Sequence, residues 1–254
     1  LNLQLNKKDM VISRLSRRVK DLGLPDFTSY VLRLSGRGGA EELRQLRSSL
    51  TTNVTRFFRE DHHFTLMRDT ALPDLIARAR TGGRVRMWSA GCSAGQEPYS
   101  LALTLLDLCP DAPEHDIFIL ATDVDPVILK TASAGIYPRD EAQSIPAPMR
   151  THLTDCSTGD ELEFTVCKSP RALIRFAELN LIDDWPMRGP MDVIFCRNVV
   201  IYFDTETQAT LWNRFNQLLP IGGYLVMGHS ERLSGPANAC FTRVGNNAYR
   251  KIAN

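Results

Sequence analysis

Hydrophobic positions along the chain follow two different periods, and the period changes near Arg84. Before that residue, apolar side chains recur every three or four positions, which is the spacing of one buried face on a helix. This pattern predicts helices throughout residues 1–80, including one continuous helical stretch over residues 41–58. The first helix is expected to stop at Gly23, with Pro25 following. Its apolar positions are Val11, Leu15, Val19 and Leu22.

After Arg84 the pattern changes to short apolar runs that alternate with helical or looped segments. Such runs are typical of buried parallel strands, so we predict an α/β fold whose mostly parallel sheet is covered by helices on both faces. The segment at 241–252 contains a G-N-N turn and predicts a closing antiparallel hairpin. Residues 150–170 are polar and rich in β-forming residues, which indicates an inserted β-structure. The apolar runs are VRMWSA (85–90), DIFILATD (116–123), ALIRFAEL (172–179), MDVIFCRNV (191–199) and GYLVMGH (223–229).

Composition restricts the function classes without selecting one. With 43% hydrophobic and 23% charged residues, the chain is typical of one large domain, or of one large and one small domain. No apolar run reaches the roughly 20 residues needed to span a bilayer, so we expect no membrane insertion. The six cysteines are scattered without a C-x-x-C pair, which predicts reduced thiols and a cytoplasmic location. No cluster has metal-ligand spacing, and we expect no metal site.

Charge is nearly balanced overall, at +1, but it is unevenly distributed. Residues 7–20 carry six basic side chains against a single acidic one. Arg14, Arg17 and Arg18 are predicted to lie on a different face of the first helix from its apolar positions. A local basic face indicates an acidic protein partner, and its alternative is a solvated surface. The single R-G-G in the loop at 35–39 does not indicate nucleic-acid binding.

The stretch WSAGCSAGQEPYS, which begins at residue 88, joins the first predicted strand to a predicted helix. Gly91, Ser93 and Gly95 spell G-x-S-x-G, the nucleophile elbow of α/β-hydrolases. Asp204 and His229 follow in the order that this fold requires. The elbow also needs an oxyanion-hole amide from a loop after an earlier strand, yet no strand is predicted before the motif. We therefore favour a turn that holds a nucleotide-like ligand and keep the serine hydrolase as an alternative.

Two acidic residues near this turn indicate which ligand it holds. Asp123 ends the next predicted strand, where a carboxylate can accept hydrogen bonds from a ribose. Glu97 lies in the first helical turn, where a carboxylate repels a pyrophosphate and suits a ligand with positive charge. S-adenosylmethionine has a ribose, an ammonium group, a sulfonium and no phosphate, so we predict a class I S-adenosylmethionine-dependent methyltransferase fold. The alternatives are stabilisation of Glu97 by the helix dipole, with Ser93 and Gln96 forming a capping box, and a strand-end turn for Asp123.

Seven short segments of the chain occur in the same order as in one protein family, and together they are specific for that family. In these segments the chain resembles the CheR-type chemoreceptor glutamate methyltransferases, from about residue 7 to the C-terminus. The resemblance implies a small helical N-terminal domain, placed at 1–70, a linker at 71–83 and a seven-stranded methyltransferase domain at 84–254. It also implies a small antiparallel β-subdomain inserted at about 150–175. The segments are TTNVTRFFRE (51–60), WSAGCSAGQEPYS (88–100), ATDVD (121–125), GIYP (135–138), FAELNL (176–181), FCRNVVIYF (195–203) and GHSERL (228–233).

The resemblance implies methyl transfer from S-adenosylmethionine to glutamate side chains on cytoplasmic helices of bacterial chemoreceptors, with S-adenosylhomocysteine as the product. The basic face at Arg14, Arg17 and Arg18 would then dock the acidic receptor helices. We expect a monomer that binds no nucleic acid and no metal. The rival interpretation from another class is a non-catalytic S-adenosylmethionine-binding adaptor of the same fold.

The resemblance also implies the site residues, position by position. Asn180 and Leu181 would flank the adenine, while Glu97 and Asp123 would bind the amino-acid and ribose parts. The turn reads A-G-C-S-A-G-Q-E where family members often carry A-S-T-G-E-E, which removes none of these contacts. The residues expected to bind the cofactor are Asn53, Thr55, Arg59, Glu97, Asp123, Asn180, Leu181, Arg197 and Asn198.

Arg59 and Tyr202 are the expected catalytic residues, because an arginine can orient the substrate carboxylate through two hydrogen bonds and a tyrosine can add a third. A glutamate has an ordinary pKa of about 4.3 and is already ionised at neutral pH, so no general base is required. The alternatives are an ion pair of Arg59 with Glu60 or Asp61, and an ordinary half-buried aromatic for Tyr202.

Overall fold

The N-terminal part of the chain is helical, as predicted. The computed structural model describes residues 8–36, 38–50, 53–158 and 161–254, and its first strand begins at Val85. Gly23, with a φ of +66°, follows the first helix as the expected stop. The helices before Val85 are α1 (Lys8–Asp21), α2 (Phe27–Ser35), α3 (Gly39–Leu50), α4 (His62–Leu66) and α5 (Leu72–Arg80), with a π-helical turn at Met67–Ala71 between the last two.

The helix predicted over residues 41–58 is wrong in its second half. Helix α3 ends at Leu50, and residues 53–56 have no regular structure. Phe58 and Glu60 have positive φ angles of 52° and 56°, which an α-helix does not allow. The amide of Phe58 donates to the hydroxyl of Ser100 at 2.9 Å instead of to a helical carbonyl. A tertiary contact therefore overrides the local helical pattern in this loop.

Ten strands form two sheets in the described part of the chain. The larger sheet has seven strands in the order β6-β2-β1-β7-β8-β10-β9, and the smaller has three in the order β3-β5-β4. The strands are β1 (Val85–Ala90), β2 (Ile117–Asp123), β3 (Ile136–Pro138), β4 (Leu153–Thr158), β5 (Glu161–Val166), β6 (Ile174–Glu178), β7 (Val193–Cys196), β8 (Tyr224–Met227), β9 (Phe241–Gly245) and β10 (Ala248–Lys251).

The larger sheet confirms the predicted α/β fold. Strand β1 pairs in parallel with β2 and β7, and β9 and β10 form the predicted antiparallel hairpin. Side chains alternate between two cores, as the period of a strand requires: Met87 packs in one core and Trp88 in the other. Both faces of the sheet are therefore buried. The helices that follow β1 are α6 (Gln96–Leu108), α7 (Pro126–Ala134), α8 (Lys168–Ala172) and α9 (Thr205–Leu218).

Helix α5 occupies most of the segment that was expected to be a linker at 71–83. Its residues Leu72, Ile76 and Ala79 are buried in the same core as Met87 of strand β1. The spacing of four and three positions places these side chains on one face of the helix. The segment is thus a helix that packs against the sheet, as the helical pattern up to residue 80 predicts.

The β-subdomain is antiparallel, as expected, but it begins earlier than residue 150. Strand β3 comes from the GIYP segment and pairs with β5, which also pairs with β4. The subdomain also ends before residue 175, because β5 ends at Val166 and helix α8 begins at Lys168. A three-residue strand that contains a proline has too weak an alternation to be predicted from the sequence.

The described residues contain no helix that is both long and apolar enough to cross a bilayer. The cysteines whose side chains are described are all free thiols, in agreement with the prediction of reduced cysteines. They are Cys92, Cys109, Cys167, Cys196 and Cys240, while the side chain of Cys156 lies outside the described part.

Candidate functional site

A tight turn joins β1 to α6 at the carboxyl edge of the sheet. Gly91, Ser93 and Gly95 in this turn have positive φ angles of 91°, 50° and 96°. The amide of Gly91 donates to the carbonyl of Thr122 at 2.8 Å, which ties the turn to the end of β2. A Cβ atom at Gly91 would lie 2.3 Å from a methyl group of Val199, so only glycine fits there. The turn is therefore held against the carboxyl edge of the sheet, and its residues Gly91, Cys92 and Ser93 border an open space.

A cavity of about 340 Å³ occupies that space. All ten residues that the sequence predicts for cofactor binding and catalysis line this one cavity, although they come from segments far apart in the chain. Their individual roles remain predictions. The ten are Asn53, Thr55, Arg59, Glu97, Asp123, Asn180, Leu181, Arg197, Asn198 and Tyr202.

The Asp123 carboxylate lies at the end of β2 and accepts hydrogen bonds from two backbone amides. These amides belong to Ser93, at 2.8 Å, and Asp125, at 3.0 Å. Burial raises the pKa of Asp123 above its usual value, and the two amides act in the opposite direction. Each carboxylate oxygen has a second lone pair, so the group can also accept hydrogen bonds from a diol. Asp123 can thus stabilise the turn at the end of its strand and bind a ligand at the same time.

Glu97 lies in the first turn of α6 and is already paired within the protein. Its carboxylate accepts a hydrogen bond from the Ser89 hydroxyl at 2.7 Å and one from Arg197 Nη1 at 3.0 Å. Burial raises its pKa, while the charge of Arg197 acts to lower it. The alternative capping box does not form. Ser93 Oγ donates to the backbone carbonyl of Asn53 at 3.0 Å, and the residue at the cap position of α6 is Gly95, which has no side chain.

Glu60 is a site residue that the sequence interpretation missed. The buried Arg197 guanidinium lies 3.4 Å from Glu60 as well as beside Glu97, and it donates to the carbonyl of Arg59. Burial acts to raise the pKa of Glu60, but the charge of Arg197 and the hydrogen bonds from His229 together outweigh burial, so the pKa is lowered. Two carboxylates thus share one guanidinium, and of these two Glu97 lines the cavity while Glu60 does not. The signal available in the sequence was the final glutamate of the TTNVTRFFRE segment.

Arg59 extends from the irregular loop at 53–60 and lines the cavity. Its Nη1 atom donates to the carbonyl of Val54 at 2.9 Å. Among the residues that the structure describes, it makes no ion pair with Glu60 or Asp61, because Glu60 is paired with Arg197 instead. The surface ion pair considered as an alternative is therefore wrong.

The loop at 53–60 also contacts the turn from the side of the N-terminal helices. The side-chain amide of Asn53 donates to Asp125 Oδ2 at 3.1 Å, and the backbone carbonyl of Asn53 accepts a hydrogen bond from the Ser93 hydroxyl. On the far side, Asn180 is held in its own turn by Asp183 at 3.1 Å. Tyr202 lies half-buried in a 3-10 turn, which also agrees with its alternative as an ordinary aromatic.

The serine hydrolase triad is not assembled. Ser93 donates to Asn53, Asp204 accepts from the amide of Thr207 at 2.8 Å as the cap of α9, and His229 Nδ1 lies 3.2 Å from Glu60. Strand β1 is also the first strand among the described residues, so no earlier strand supplies an oxyanion-hole loop. The elbow interpretation is not supported by this geometry.

Comparison with protein families and curated proteins agrees with the geometry. Residues 53–249 match the family described as "CheR methyltransferase, SAM binding domain", and residues 1–51 match "CheR methyltransferase, all-alpha domain". The chain belongs to the CheR methyltransferase family. Its S-adenosylmethionine-binding methyltransferase domain thus includes α4, α5 and the loop at 53–60.

Named relatives of this CheR-family chain match it over most of its length. It is 49% identical over 249 residues to a probable chemotaxis protein methyltransferase of Rhizobium etli, covering 98% of this chain and 93% of the relative. It is 40% identical over 231 residues to the chemotaxis protein methyltransferase of Escherichia coli, covering 90% and 78% respectively. These findings support S-adenosylmethionine-dependent methylation in chemotaxis and favour neither the adaptor nor the hydrolase.

Two of the three arginines predicted to dock a partner are engaged inside the helical domain of this CheR protein. Arg18 forms two hydrogen bonds with the buried Glu42, at 2.9 and 3.0 Å, because that carboxylate needs a counter-charge. Arg14 Nη1 lies 3.4 Å from the carbonyl of Ser49. Arg17 alone of the three is exposed. The docking role of these arginines stays a prediction, in which Arg17 has the exposed side chain and Arg18 is already paired with Glu42.

Two groups of possible metal ligands occur in the described part of the chain. In each group the carboxylate already contacts a guanidinium, Arg197 or Arg80, at 3.4 Å. The expectation of no metal in this family member stays a prediction. The groups are Glu60 with His62 and His63, and Cys109 with Asp111 and His115.

His63 is expected to make the CheR protein less stable as the pH falls from about 6.5 to about 4. The ring is fully buried, its Nε2 donates to the carbonyl of Asn246 at 2.7 Å, and burial, aided by the charge of Arg197, lowers its pKa to about 4. In the unfolded chain the ring takes up a proton near its usual pKa of about 6.5. The unfolded state thus binds more protons within this window, which costs about 3 kcal/mol of stability across it.

Urea unfolding at a series of pH values measures this effect. His63→Gln, whose side-chain amide can still donate to Asn246, is expected to flatten the pH dependence of the free energy of unfolding. His62→Gln, at the exposed neighbouring ring, is the matched control and should leave it unchanged. An equal pH dependence in the parent and in His63→Gln would show that the ring is not buried neutral.

Proposed function

We propose that this protein transfers a methyl group from S-adenosylmethionine to glutamate carboxylates of bacterial chemoreceptors in the cytoplasm, giving glutamate methyl esters. The observation that carries the proposal is the one cavity that is lined both by Glu97 with Asp123 and by Arg59 with Tyr202. The first pair suits a cation that carries a ribose, and the second pair suits an incoming carboxylate. The expectations of a monomer that binds neither nucleic acid nor metal accompany this proposal.

The residues of the cavity fit S-adenosylmethionine, which when bound supplies an electrophilic methyl group on a sulfonium. Glu97 and Asp123 place two carboxylates in the cavity lining, where they can attract the positively charged groups of the ligand. Asp123 would hold the ribose hydroxyls, while Asn180 and the buried Leu181 would flank the adenine. S-adenosylhomocysteine keeps the ribose, adenine and ammonium groups, so the same residues would hold the product.

Arg59 and Tyr202 would orient the substrate glutamate. The glutamate is already ionised at neutral pH, so no side chain has to remove a proton. The arginine would hold one carboxylate in the direction of attack without neutralising it, and Tyr202 would add a second donor. Apolar side chains such as Val54 and Ile201 line the cavity and are exposed, so they would contact the receptor helix and help exclude water.

Incubation with radiolabelled S-adenosylmethionine and receptor cytoplasmic fragments tests the proposal. We expect base-labile label, as methyl esters require, on peptides that contain specific glutamates. A receptor fragment whose target glutamates are replaced by alanine is the matched control and should stay unlabelled. Base-stable label, or label on residues other than glutamate, would show that the substrate group is wrong while leaving the methyltransferase assignment intact.

Ser93→Ala is expected to leave the rate of receptor methylation within about threefold of the parent. The hydroxyl donates one half-buried hydrogen bond to the Asn53 carbonyl, and such a bond contributes about 1 kcal/mol. Initial rates at saturating concentrations of both substrates measure this. Complete loss of activity in a folded Ser93→Ala protein would instead support a nucleophilic serine.

A further inference from the structure

The segment at 198–203, which follows β7, forms one wall of the cavity. Asn198, Val199, Ile201, Tyr202 and Phe203 all line it. The backbone here is irregular, because Asn198 has a φ of +58° and a single 3-10 turn covers Val200–Tyr202. Neither a helix nor a strand supplies partners for the first amides of the segment, so something outside it must hold them.

The carboxylate of Glu231 holds these amides. Its Oε1 accepts from the amides of Val199 at 2.8 Å and Val200 at 2.9 Å. Its Oε2 accepts from Asn198 at 2.9 Å and Gly228 at 2.7 Å. Glu231 is 3% exposed, so these four bonds form away from water. A buried carboxylate with four backbone donors is a rigid anchor.

Two neighbouring residues complete the anchor. A Cβ atom at Gly228 would lie 2.8 Å from the amide nitrogen of Asn198 and 2.9 Å from the Glu231 carboxylate, so only glycine allows this approach. From the other side, the Gln208 side chain donates to the carbonyls of Val200 and Phe203, each at 3.0 Å. The amides and the carbonyls of the segment are thus held by different side chains.

We infer that Glu231 is a positioning residue for methyl transfer, which acts by fixing residues 198–200 and through them Tyr202. The amides of Tyr202 and Phe203 bond to the carbonyls of Val199 and Val200, the residues that Glu231 anchors. Glu231 itself does not line the cavity. The inference rests on the proposed function for its effect on rate, but its effect on the backbone is independent of that function.

Hydrogen exchange of the four amides in Glu231→Gln tests the anchor directly. A glutamine offers one carbonyl oxygen and points an NH₂ group at the other donors, so two of the four bonds are lost. We expect at least the two amides that lose their acceptor, among those of Asn198, Val199, Val200 and Gly228, to exchange at least about tenfold faster when resolved by NMR. Glu206→Gln removes the same charge from an exposed position on α9 and should change none of them. Unchanged exchange in Glu231→Gln would overturn the inference.

Kinetics distinguish positioning from a loss of folding. Glu231→Gln is expected to lower kcat about 10- to 100-fold at saturating concentrations of both substrates, with the near-ultraviolet spectrum of the parent. The loss should be smaller in a Tyr202→Phe background, because part of it passes through Tyr202. An equal loss in both backgrounds would overturn the inference.

Two further measurements separate the possible failures. Should Glu231→Gln fail to fold, Glu231→Asp keeps the charge but shortens the reach, and the same faster exchange and coupled loss are expected. If the parent esterifies no receptor glutamate, the proposed function fails, while the exchange of the four amides still decides whether Glu231 anchors the wall.

Discussion

Arg59→Ala is expected to lower kcat for receptor methylation at least about 100-fold while changing the dissociation constant for S-adenosylhomocysteine less than about threefold. The guanidinium lines the cavity, and its Nη1 donates to the nearby carbonyl of Val54. Its other N–H groups can meet an incoming carboxylate. Without them the glutamate is neither attracted nor aligned. Initial rates at saturating concentrations of both substrates, with calorimetric titration of S-adenosylhomocysteine, measure the two quantities.

Arg56→Ala is the matched control for that experiment. Arg56 lies in the same loop and is exposed, but it does not line the cavity, so its loss should leave kcat within about twofold of the parent. Arg59→Lys keeps the charge without the two-pronged geometry and is expected to fall between the parent and Arg59→Ala. Normal turnover in Arg59→Ala would refute the orienting role.

The sheet could be predicted from the sequence because burial on both faces leaves a strong local pattern. Strand β7, for example, is buried at all of its residues, and a short apolar run between turn signals is typical of such a strand. The carboxyl ends of the parallel strands of a sheet lie at the same edge, so Asp123 and Asn198 could be placed at one site from the sequence. A parallel sheet thus lets residues that are predicted one strand at a time be assigned to a common site.

Contacts between distant segments could not be predicted in this way. The loop at 53–60 reads as the end of a helix, and its real conformation depends on Ser100 and Arg197, which lie far away in the chain. Similarly, the sequence predicts Arg18 to be a surface charge, whereas in the structure it bonds to the buried Glu42 of α3. Hydrophobic periodicity does not encode the partner of a charge, so these pairings become visible only in three dimensions.

Asp123→Ala is expected to raise the dissociation constant for S-adenosylhomocysteine about 100-fold, because two charge-assisted hydrogen bonds to the ribose are lost. The same carboxylate also holds the amides of Ser93 and Asp125, so the turn itself would loosen. Asp123→Asn keeps the shape and one acceptor oxygen, and an intermediate affinity is expected. Titration calorimetry at pH 7.5 measures all three proteins.

The pH dependence of the same titration separates a direct role of the two carboxylates from an indirect one. Burial raises the pKa of both Asp123 and Glu97, so each takes up a proton at a higher pH than an exposed carboxylate does. Affinity for S-adenosylhomocysteine should therefore rise with pH through these raised pKa values and then level off, since only the ionised carboxylates attract its ammonium group and accept charge-assisted hydrogen bonds from its ribose. In Asp123→Ala the remaining rise should reflect Glu97 alone, and in Glu97→Ala it should reflect Asp123 alone. Parent-like affinity in both variants would mean that the ligand does not bind in this cavity.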